Sequence, residues 1–315
     1  MSAATATSLP FLLAELEAVD VRRISPSFVR VVFVSPVLAD LGVDGPLYDQ
    51  RIKLVFPAEG GRLPSVVEAD ASWMDGWLDR PVEERGHMRT YTIRAVQGSG
   101  PDTRLVVDFV VHEDGLAGPG ASWALAARPG ARVLVVGPRR GTAFGGIEFD
   151  PPEDTRSLLL VGDESAVPAI GSILECLSDP VRGVVFVEVP TPADIADLRA
   201  PAGIELCWLA RRHAEPGSRL VPAVRAHLGL GAGDWVDEAD VDPDLWETPT
   251  YSSSGAAVDQ LARVVGDEHA GLYAWIAGES RMVTTLRRAL VHELEIDRSW
   301  VAFMGYWRRG VAMRS

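Results

Sequence analysis

The distribution of apolar residues changes character about halfway along the chain. In the first half, short runs rich in valine and isoleucine alternate with Gly, Pro and Asp, which is typical of short strands separated by turns. Six strands at this spacing predict a small antiparallel barrel. The predicted strands are Ala18–Ile24, Val29–Val34, Arg51–Phe56, Arg89–Val96, Arg104–His112 and Arg132–Pro138. The stretch Leu63–Gly86, which contains two tryptophans, is interpreted as a surface excursion.

After the break at Asp150-Pro151-Pro152, continuous apolar runs alternate with helical segments. This pattern predicts a parallel sheet covered on both faces. The predicted strands are Ser157–Val161, Gly183–Val189, Glu205–Ala210, Leu272–Ala277 and Trp300–Tyr306. The segments between and after them are Ala166–Leu177, Pro192–Leu198, Pro222–Leu228 and Ser280–Glu293, with a long loop at Gly231–Gly255. The two patterns predict two domains, at residues 15–150 and 154–315.

The fourth predicted strand contains the hexapeptide RTYTIR, Arg89 to Arg94. Side chains alternate across a strand, so Arg89, Tyr91 and Ile93 share one face and Thr92 lies on the other. An arginine can pair with a pyrophosphate, an aromatic ring can lie on an isoalloxazine, and a threonine hydroxyl can reach the flavin edge. The segment therefore suggests a flavin cradle, although the same residues also suit an ordinary strand.

A glycine-rich turn follows the next strand, which ends at His112. The turn, Gly118-Pro119-Gly120-Ala121-Ser122, leads into a predicted helix at Trp123–Ala127, which Ser122 could cap. The N–H groups and positive dipole end of a helix start suit a diphosphate. A plain loop-to-helix turn has the same composition, and a lone histidine is more often structural than catalytic.

Several motifs of the second half could hold a nucleotide or another anion. Residues Gly162 to Ala166 follow the first apolar strand, where sheets of this kind bind nucleotides, although they carry two acids and a single glycine. Residues Ala277 to Glu279 open a helix in the same way. Near the C-terminus, Trp307 with Arg308 and Arg309 could stack on a ring and attract an anion.

The amino-acid composition and net charge argue against several classes of function. Apolar residues make up 47% and charged residues 23% of the chain, as in globular proteins. The formal charge of −14 argues against a nucleic-acid partner and requires any anion site to be local. The chain has no apolar run of about 18 residues, and no basic residue precedes the apolar patch Leu9–Leu13. Neither a membrane span nor a secretory signal is expected, which favours a cytoplasmic location.

The cysteines and histidines do not predict a metal site. Two cysteines, Cys176 and Cys207, cannot form a disulfide framework or hold an iron–sulfur cluster by themselves. The six histidines show no metal-ligand spacing. Hydrolase and kinase signatures are missing as well.

Six short motifs occur in a fixed order along the chain: RTYTIR, DFVVH, GPGASWA, GDESAVPAI, WIAGE and GYWRRG. In this order they closely resemble the siderophore-interacting protein family, the flavin-dependent ferric-siderophore reductases of the ferredoxin-reductase-like superfamily. The resemblance extends from about Ala18 to Gly310. It implies an N-terminal antiparallel FAD-binding β-barrel and a C-terminal parallel-sheet NAD(P)-binding domain.

The resemblance also assigns residues by position. FAD binding falls to Arg89, Tyr91, Thr92, Ile93, His112, Gly118, Pro119, Ala121 and Ser122, with Trp307 as a closing wall near the flavin. Nicotinamide-nucleotide binding falls to Gly162, Asp163, Glu164, Ser165, Ala166, Ala277, Gly278 and Glu279. Arg211 and Arg212 could pair with a 2′-phosphate and select NADPH, or could be an ordinary surface pair. The candidates for an anionic ferric chelate are Arg308, Arg309 and Lys53, and no protein ligand to iron is implied.

The implied activity passes electrons from NADPH or NADH through FAD to a ferric siderophore, releasing Fe(II). Two features depart from the family pattern: Gly120 lengthens the glycine-rich turn, and the sequence ends soon after GYWRRG. The second favours a nicotinamide donor over ferredoxin. A ferredoxin-fed siderophore reductase, a flavin reductase of another small acceptor, and a siderophore carrier without redox activity remain alternatives.

Overall fold

The computed structural model describes residues 9–58, 60–66, 69–70, 72–111, 118–241, 246–248, 251–252 and 269–310. The chain divides into two compact units. The N-terminal unit contains Met1–Ile24 and Phe28–Ile147, and the C-terminal unit contains Ser25–Ser27 and Glu148–Arg314.

Seven strands of the N-terminal unit form one antiparallel sheet. They are β1 (Phe11–Ser25), β2 (Phe28–Val34), β3 (Arg51–Phe56), β4 (His87–Thr92), β5 (Ala95–Gln97), β6 (Arg104–Val110) and β7 (Arg132–Pro138). Their order is β4-β3-β7-β1-β2-β6-β5, and the sheet curls into a half-barrel around an apolar core. The predicted antiparallel barrel is thus confirmed. The prediction began β1 too late, because Leu12 and Leu16 already alternate into the core.

The predicted strand Arg89–Val96 is two strands, β4 and β5, which form opposite edges of the sheet. Just two residues, Ile93 and Arg94, separate them. Three Cα–Cα steps span at most about 11 Å, so the two edges must approach each other. The Ile93 N–H donates to the Gln50 carbonyl (2.9 Å) and the Arg94 N–H to the Val106 carbonyl (3.0 Å). This dipeptide, the seam, therefore closes one end of the sheet.

A buried carboxylate on β6 lies beside the seam. Asp108 accepts two hydrogen bonds from Arg30 of β2, at 2.7 Å from Nε and 2.8 Å from Nη2. Its second oxygen lies 4.0 Å from Nε of Arg94. One carboxylate thus links β2 and β6 and faces the seam arginine.

The stretch interpreted as a surface excursion covers the outer face of the sheet instead. It contains α1 (Trp73–Leu78) and α2 (Val82–Arg85). Trp73 and Trp77 are buried against Val55, Met88, Leu134 and Val136. Here β7 contributes Val133 and Val135 to the inner core and Leu134 and Val136 to the outer one, so its apolar residues run without interruption. The remaining helix of this unit is α3 (Pro119–Ala126).

The C-terminal unit contains a seven-stranded sheet in the order β10-β9-β8-β13-β14-β11-β12. Five strands are parallel, which confirms the predicted parallel sheet: β8 (Ser157–Gly162), β9 (Gly183–Val189), β10 (Ile204–Ala210), β13 (Leu272–Glu279) and β14 (Val301–Trp307). The helices are α4 (Val167–Cys176), α5 (Leu220–His227) and α6 (Ser280–Arg287), the last continuing as a π-helical turn to Glu293. The strand order reverses between β8 and β13, the switch point at which such sheets bind ligands.

One loop prediction and one helix prediction were wrong in part. The segment Gly231–Gly255 contains a short antiparallel hairpin, β11 (Trp246–Thr248) and β12 (Tyr251–Ser252), which extends the sheet beside β14. The predicted segment Pro192–Leu198 contains one 3-10 turn, Pro192–Asp194. Asp194 is buried and accepts hydrogen bonds from Ser25, Ser27 and Thr191, so its side chain holds this turn in place.

We expect Asp108→Ala to destabilise the N-terminal sheet by about 2–3 kcal/mol, because it removes a buried carboxylate that two guanidinium groups face. Hydrogen exchange of the β2 and β6 amides measures the loss. Arg132→Ala is the matched control, since Arg132 pairs with Glu15 and Glu17 at the exposed surface and should cost less than about 1 kcal/mol. Equal effects of the two substitutions would contradict the role given to Asp108.

Candidate functional site

Tyr91, one of the residues predicted to bind FAD, belongs to a cluster of aromatic side chains. Its ring packs against Phe109 of β6 (centroids 4.5 Å apart) and Phe56 of β3 (5.9 Å). Phe109 in turn contacts Trp123 of α3 at 5.6 Å, so the aromatic cluster joins the sheet to this helix. Burial raises the pKa of the Tyr91 phenol well above its usual range, against the opposing charge of Arg89, and the phenol is therefore neutral at physiological pH.

The glycine-rich turn presents the start of α3 beside this ring. Gly118 is the N-cap and Pro119 the first helical residue, and no side chain among the described residues caps the helix. The prediction that Ser122 caps a helix starting at Trp123 was wrong: the Ser122 N–H donates to the Gly118 carbonyl inside the first turn. No atom of the described residues would lie within 4 Å of a side-chain carbon at Gly118.

Gly120, the extra residue of the turn, lies directly against Tyr91. A methyl group at this position would overlap the Tyr91 hydroxyl and lie 3.1 Å from a ring carbon of Phe56. The longer turn is therefore accommodated because glycine leaves room for the phenol.

The other members of the RTYTIR segment differ in what they can offer a ligand. The half-buried Arg89 donates from Nη1 to the Met88 carbonyl (2.7 Å), and Thr92 is buried on the opposite face. Ile93 is fully buried in the barrel core and its N–H is used in the seam, so its predicted contact with a cofactor is limited to its carbonyl. His112 lies outside the described residues.

Lys53 does not join the Tyr91 face. In the β3–β4 register, Ile52 pairs with Tyr91 and Lys53 with Thr90, which puts Lys53 on the other side of the sheet. Its Nζ donates to the Thr90 hydroxyl (2.7 Å), and burial, followed by the charge of Arg51, lowers its pKa.

In the C-terminal unit, Asp163 joins the carboxyl ends of three parallel strands. This fully buried residue follows β8 and accepts hydrogen bonds from the Ser165 N–H (2.9 Å) and the Ser165 hydroxyl. Its other oxygen accepts from the Glu279 N–H at the end of β13 (2.7 Å) and from the indole of Trp307 at the end of β14 (2.8 Å). Burial, with a smaller contribution from Glu164, raises its pKa to about 6, while the bonds from Ser165 and Trp307 oppose the shift.

The glycines of both predicted nucleotide loops allow this close packing. A side-chain carbon at Gly278, whose φ is 146°, would lie 2.7 Å from the Asp163 carboxyl carbon. One at Gly162 would overlap the methyl of Ala166 and lie 3.1 Å from the Ala277 carbonyl. Ala166 and Ala277 are themselves fully buried.

The carboxylates of these loops are used within the protein. Glu164 forms a two-pronged ion pair with Arg211, both bonds being 2.6 Å, and the Glu279 side chain caps α6 by accepting from the N–H groups of Arg281 and Met282. The carboxylates of Asp163, Glu164 and Glu279 thus all have partners within the protein, and the assignment of these loops to a nicotinamide nucleotide stays a prediction.

Arg211 also needs revision as a phosphate ligand. It is buried, and besides Glu164 it lies 3.9 Å from Glu188. Arg212 is exposed, with φ at 58°.

Trp307 and Arg308, at and just after the end of β14, are both held by hydrogen bonds of their side chains. Arg309 instead forms an exposed ion pair. Arg308 donates to the carbonyls of Glu238 (2.9 Å) and Val241 (3.3 Å). Arg309 is paired with Glu215, and both side chains are largely exposed.

Sequence reasoning missed Glu188. Its buried carboxylate accepts from the N–H groups of Gly217 (2.6 Å), Arg219 (2.8 Å) and Leu220 (3.1 Å) at the start of α5, and burial raises its pKa. A lone acid within the apolar strand VVFVEV was the available signal. Among the described residues, no group of three or more His, Cys, Asp and Glu is arranged to hold a metal ion.

Comparison with known proteins identifies the class. Residues 17–142 match the model of the siderophore-interacting FAD-binding domain, and residues 155–310 match that of the siderophore-interacting protein. The chain belongs to the siderophore-interacting protein family.

Its relatives include two named reductases. The chain is 32% identical to the NADPH-dependent ferric-chelate reductase of Escherichia coli, over 93% of this chain and 92% of that protein. It is 29% identical to the ferric vibriobactin reductase ViuB of Vibrio cholerae, over 94% and 89%. A crystal structure of a siderophore utilization protein from T. fusca matches with a TM-score of 0.65 at 30% identity, over 96% and 95%.

The residues of the N-terminal unit fit the FAD that this domain binds. The start of α3, which no side chain among the described residues caps, offers backbone N–H groups suited to a diphosphate, and Tyr91 offers an aromatic ring beside it. No helix among the described residues is long and apolar enough to cross a membrane.

We expect Gly120→Ala to weaken FAD binding about tenfold, because the added methyl displaces the Tyr91 hydroxyl. Titration of apoprotein with FAD, followed by flavin fluorescence, measures the affinity. Gly145→Ala, which adds a methyl at an exposed glycine with nothing within 4 Å, is the control. Unchanged FAD affinity in Gly120→Ala would show that Tyr91 is not part of the FAD site.

We expect the indole N–H resonance of Trp307 to titrate with a midpoint near pH 6 as Asp163 gains a proton. Because the Asp163 pKa is raised on folding, its contribution to stability is greatest below the ordinary value of 3.8 and is lost as pH rises through about 6. Two-dimensional NMR, with Trp307→Phe for assignment, measures the midpoint. The Trp77 indole, which donates to the Arg85 carbonyl, is the internal reference. A Trp307 midpoint below the ordinary value of 3.8 would mean that the hydrogen bonds outweigh burial.

Proposed function

We propose that this protein is a flavin-dependent reductase that passes electrons from NADPH or NADH to a ferric siderophore and releases Fe(II). The observation that carries the proposal is the α3 start beside Tyr91, an FAD-type cradle, in a chain that also contains a doubly wound parallel sheet. Ferric-reductase names among the relatives support the acceptor.

In the N-terminal unit, the proposed roles follow from the contacts. The N–H groups at Gly120 and Ala121 would bind the diphosphate, with Arg89 supplying a positive charge. The Tyr91 ring would orient the isoalloxazine, since Phe109 and Phe56 fix its position. Bound FAD supplies the exchange between a two-electron donor and a one-electron acceptor.

In the C-terminal unit, the carboxyl edge of β8 and β13 would bind the nicotinamide nucleotide through backbone groups, and the exposed Arg212 would contact a 2′-phosphate. Trp307, held by Asp163, would line the same carboxyl edge. The donor is proposed to be a nicotinamide nucleotide rather than ferredoxin, in line with the name of the E. coli relative.

Arg308 and Arg309 are proposed to attract an anionic chelate in a chain whose formal charge is −14. Lys53, which lies on the other side of the sheet from Tyr91, is not part of this proposal. Fe(III) is a hard ion that oxygen-donor siderophores hold tightly, whereas Fe(II) is softer and is held more weakly. Reduction would therefore release the iron without any protein ligand to the metal.

We expect the purified protein, reconstituted with FAD, to show a flavin absorption spectrum that NADPH or NADH bleaches without oxygen. Adding a ferric siderophore should restore the spectrum, and a ferrous chelator should report Fe(II). Bleaching that a quinone reverses but a ferric siderophore does not would favour another acceptor. A protein that binds siderophore but not FAD would be a carrier, and the proposal would be wrong.

A further inference from the structure

Two arginines from different elements meet under one acidic loop in the C-terminal unit. Arg281 lies in the first turn of α6, and Arg308 follows β14. Residues 234–241, here named the acidic loop, contain Asp234, Asp237, Glu238 and Asp240. The acidic loop passes over both guanidinium groups.

Backbone contacts hold the acidic loop in place. Arg281 donates from Nε to the Val236 carbonyl (2.8 Å), and its guanidinium lies 5.3 Å from the ring centroid of Trp235. Arg308 donates to the carbonyls of Glu238 and Val241. Val236 and Val241 are buried, so the loop backbone is anchored at both of these positions.

The Glu238 side chain is held much less firmly. One carboxylate oxygen lies 3.8 Å from Nη1 of Arg281 and the other 3.6 Å from Nη2 of Arg308. These distances exceed those of a direct charge-assisted hydrogen bond, and the Glu238 side chain is 68% exposed. An exposed ion pair of this kind contributes about 0–1 kcal/mol, so the side chain can turn into solvent at little cost.

The geometry around Glu238 is that of an oxyanion held between two guanidinium groups. We propose that Arg281 and Arg308 form a binding site for an oxyanion of the substrates, a phosphate or a carboxylate, and that Glu238 is its built-in competitor. The inference rests on the proposed function and deepens it, since Arg308 is already a candidate for the anionic chelate. Arg281 is added to that site, and the acidic loop sets how strongly an anion must bind to displace Glu238.

Glu238→Gln tests this inference. Because the competing charge is lost, we expect KM to fall about two- to fivefold for whichever substrate supplies the oxyanion, with kcat unchanged. The two sources are separated by measuring KM for NADPH and KM for the monoanionic Fe(III)–EDTA complex. The neutral Fe(III) tris(acetohydroxamate) complex should show no change in KM.

Asp237→Asn is the matched control, because it removes the same charge from an exposed neighbour that makes no capping hydrogen bond. Calorimetric titration of the oxidised protein with Fe(III)–EDTA or with NADP⁺ provides a readout that does not depend on turnover. A selective gain in Glu238→Gln for the chelate or for the nucleotide supports the inference and names the source. Equal behaviour of the two variants overturns it. Failure of the proposed function is distinguishable, since the unmodified protein would then reduce none of the ferric complexes.

Discussion

The N-terminal unit depends on the shortness of one connection. Ile93 and Arg94 alone separate the two edge strands of a seven-stranded sheet, so the sheet cannot lie flat. Their N–H groups bond to chain segments on opposite sides of the seam, and the Asp108 carboxylate faces Arg94 there. Closure puts Tyr91, two residues before the seam, against Phe109 and the first turn of α3. The position of the proposed cofactor cradle is thus a consequence of how the barrel closes.

In the C-terminal unit, a buried carboxylate fixes the positions of the strand ends. Asp163 receives four hydrogen bonds, from one serine and from the ends of two other strands. Burying a charge is costly unless hydrogen-bond donors surround it. Here the donors lie at the carboxyl ends of the strands, which is the edge at which sheets of this kind bind ligands. Two acids that seemed out of place near a phosphate therefore have structural partners: Trp307 for Asp163 and Arg211 for Glu164.

Local pattern was sufficient for the five parallel strands, for most strands of the antiparallel sheet and for the fold class, because burial imposes its own period on each segment. It failed where a residue's structure depends on partners that are far away in the sequence. The split of Arg89–Val96 depends on pairing with β3 on one side and β6 on the other. Arg211 was proposed for a phosphate, but Glu164, 47 residues away, binds it. The bond from Trp307 to Asp163 spans 144 residues, and no spacing rule reaches that far. For the same reason Trp73 and Trp77 were assigned to the surface, although they cover a sheet.

The acidic composition limits what the arginines of this chain can offer an anionic ligand. Arg30, Arg211 and Arg225 each form a two-pronged pair with a carboxylate, and Arg309 is paired with Glu215. The number of arginines therefore overstates the positive charge available to a ligand. A helix start such as that of α3 differs, because its N–H groups carry no formal charge for an acid to neutralise, and glycine and proline keep side chains away from it. In a chain with a formal charge of −14, the proposed backbone site would bind a diphosphate without relying on the arginines that the carboxylates already hold.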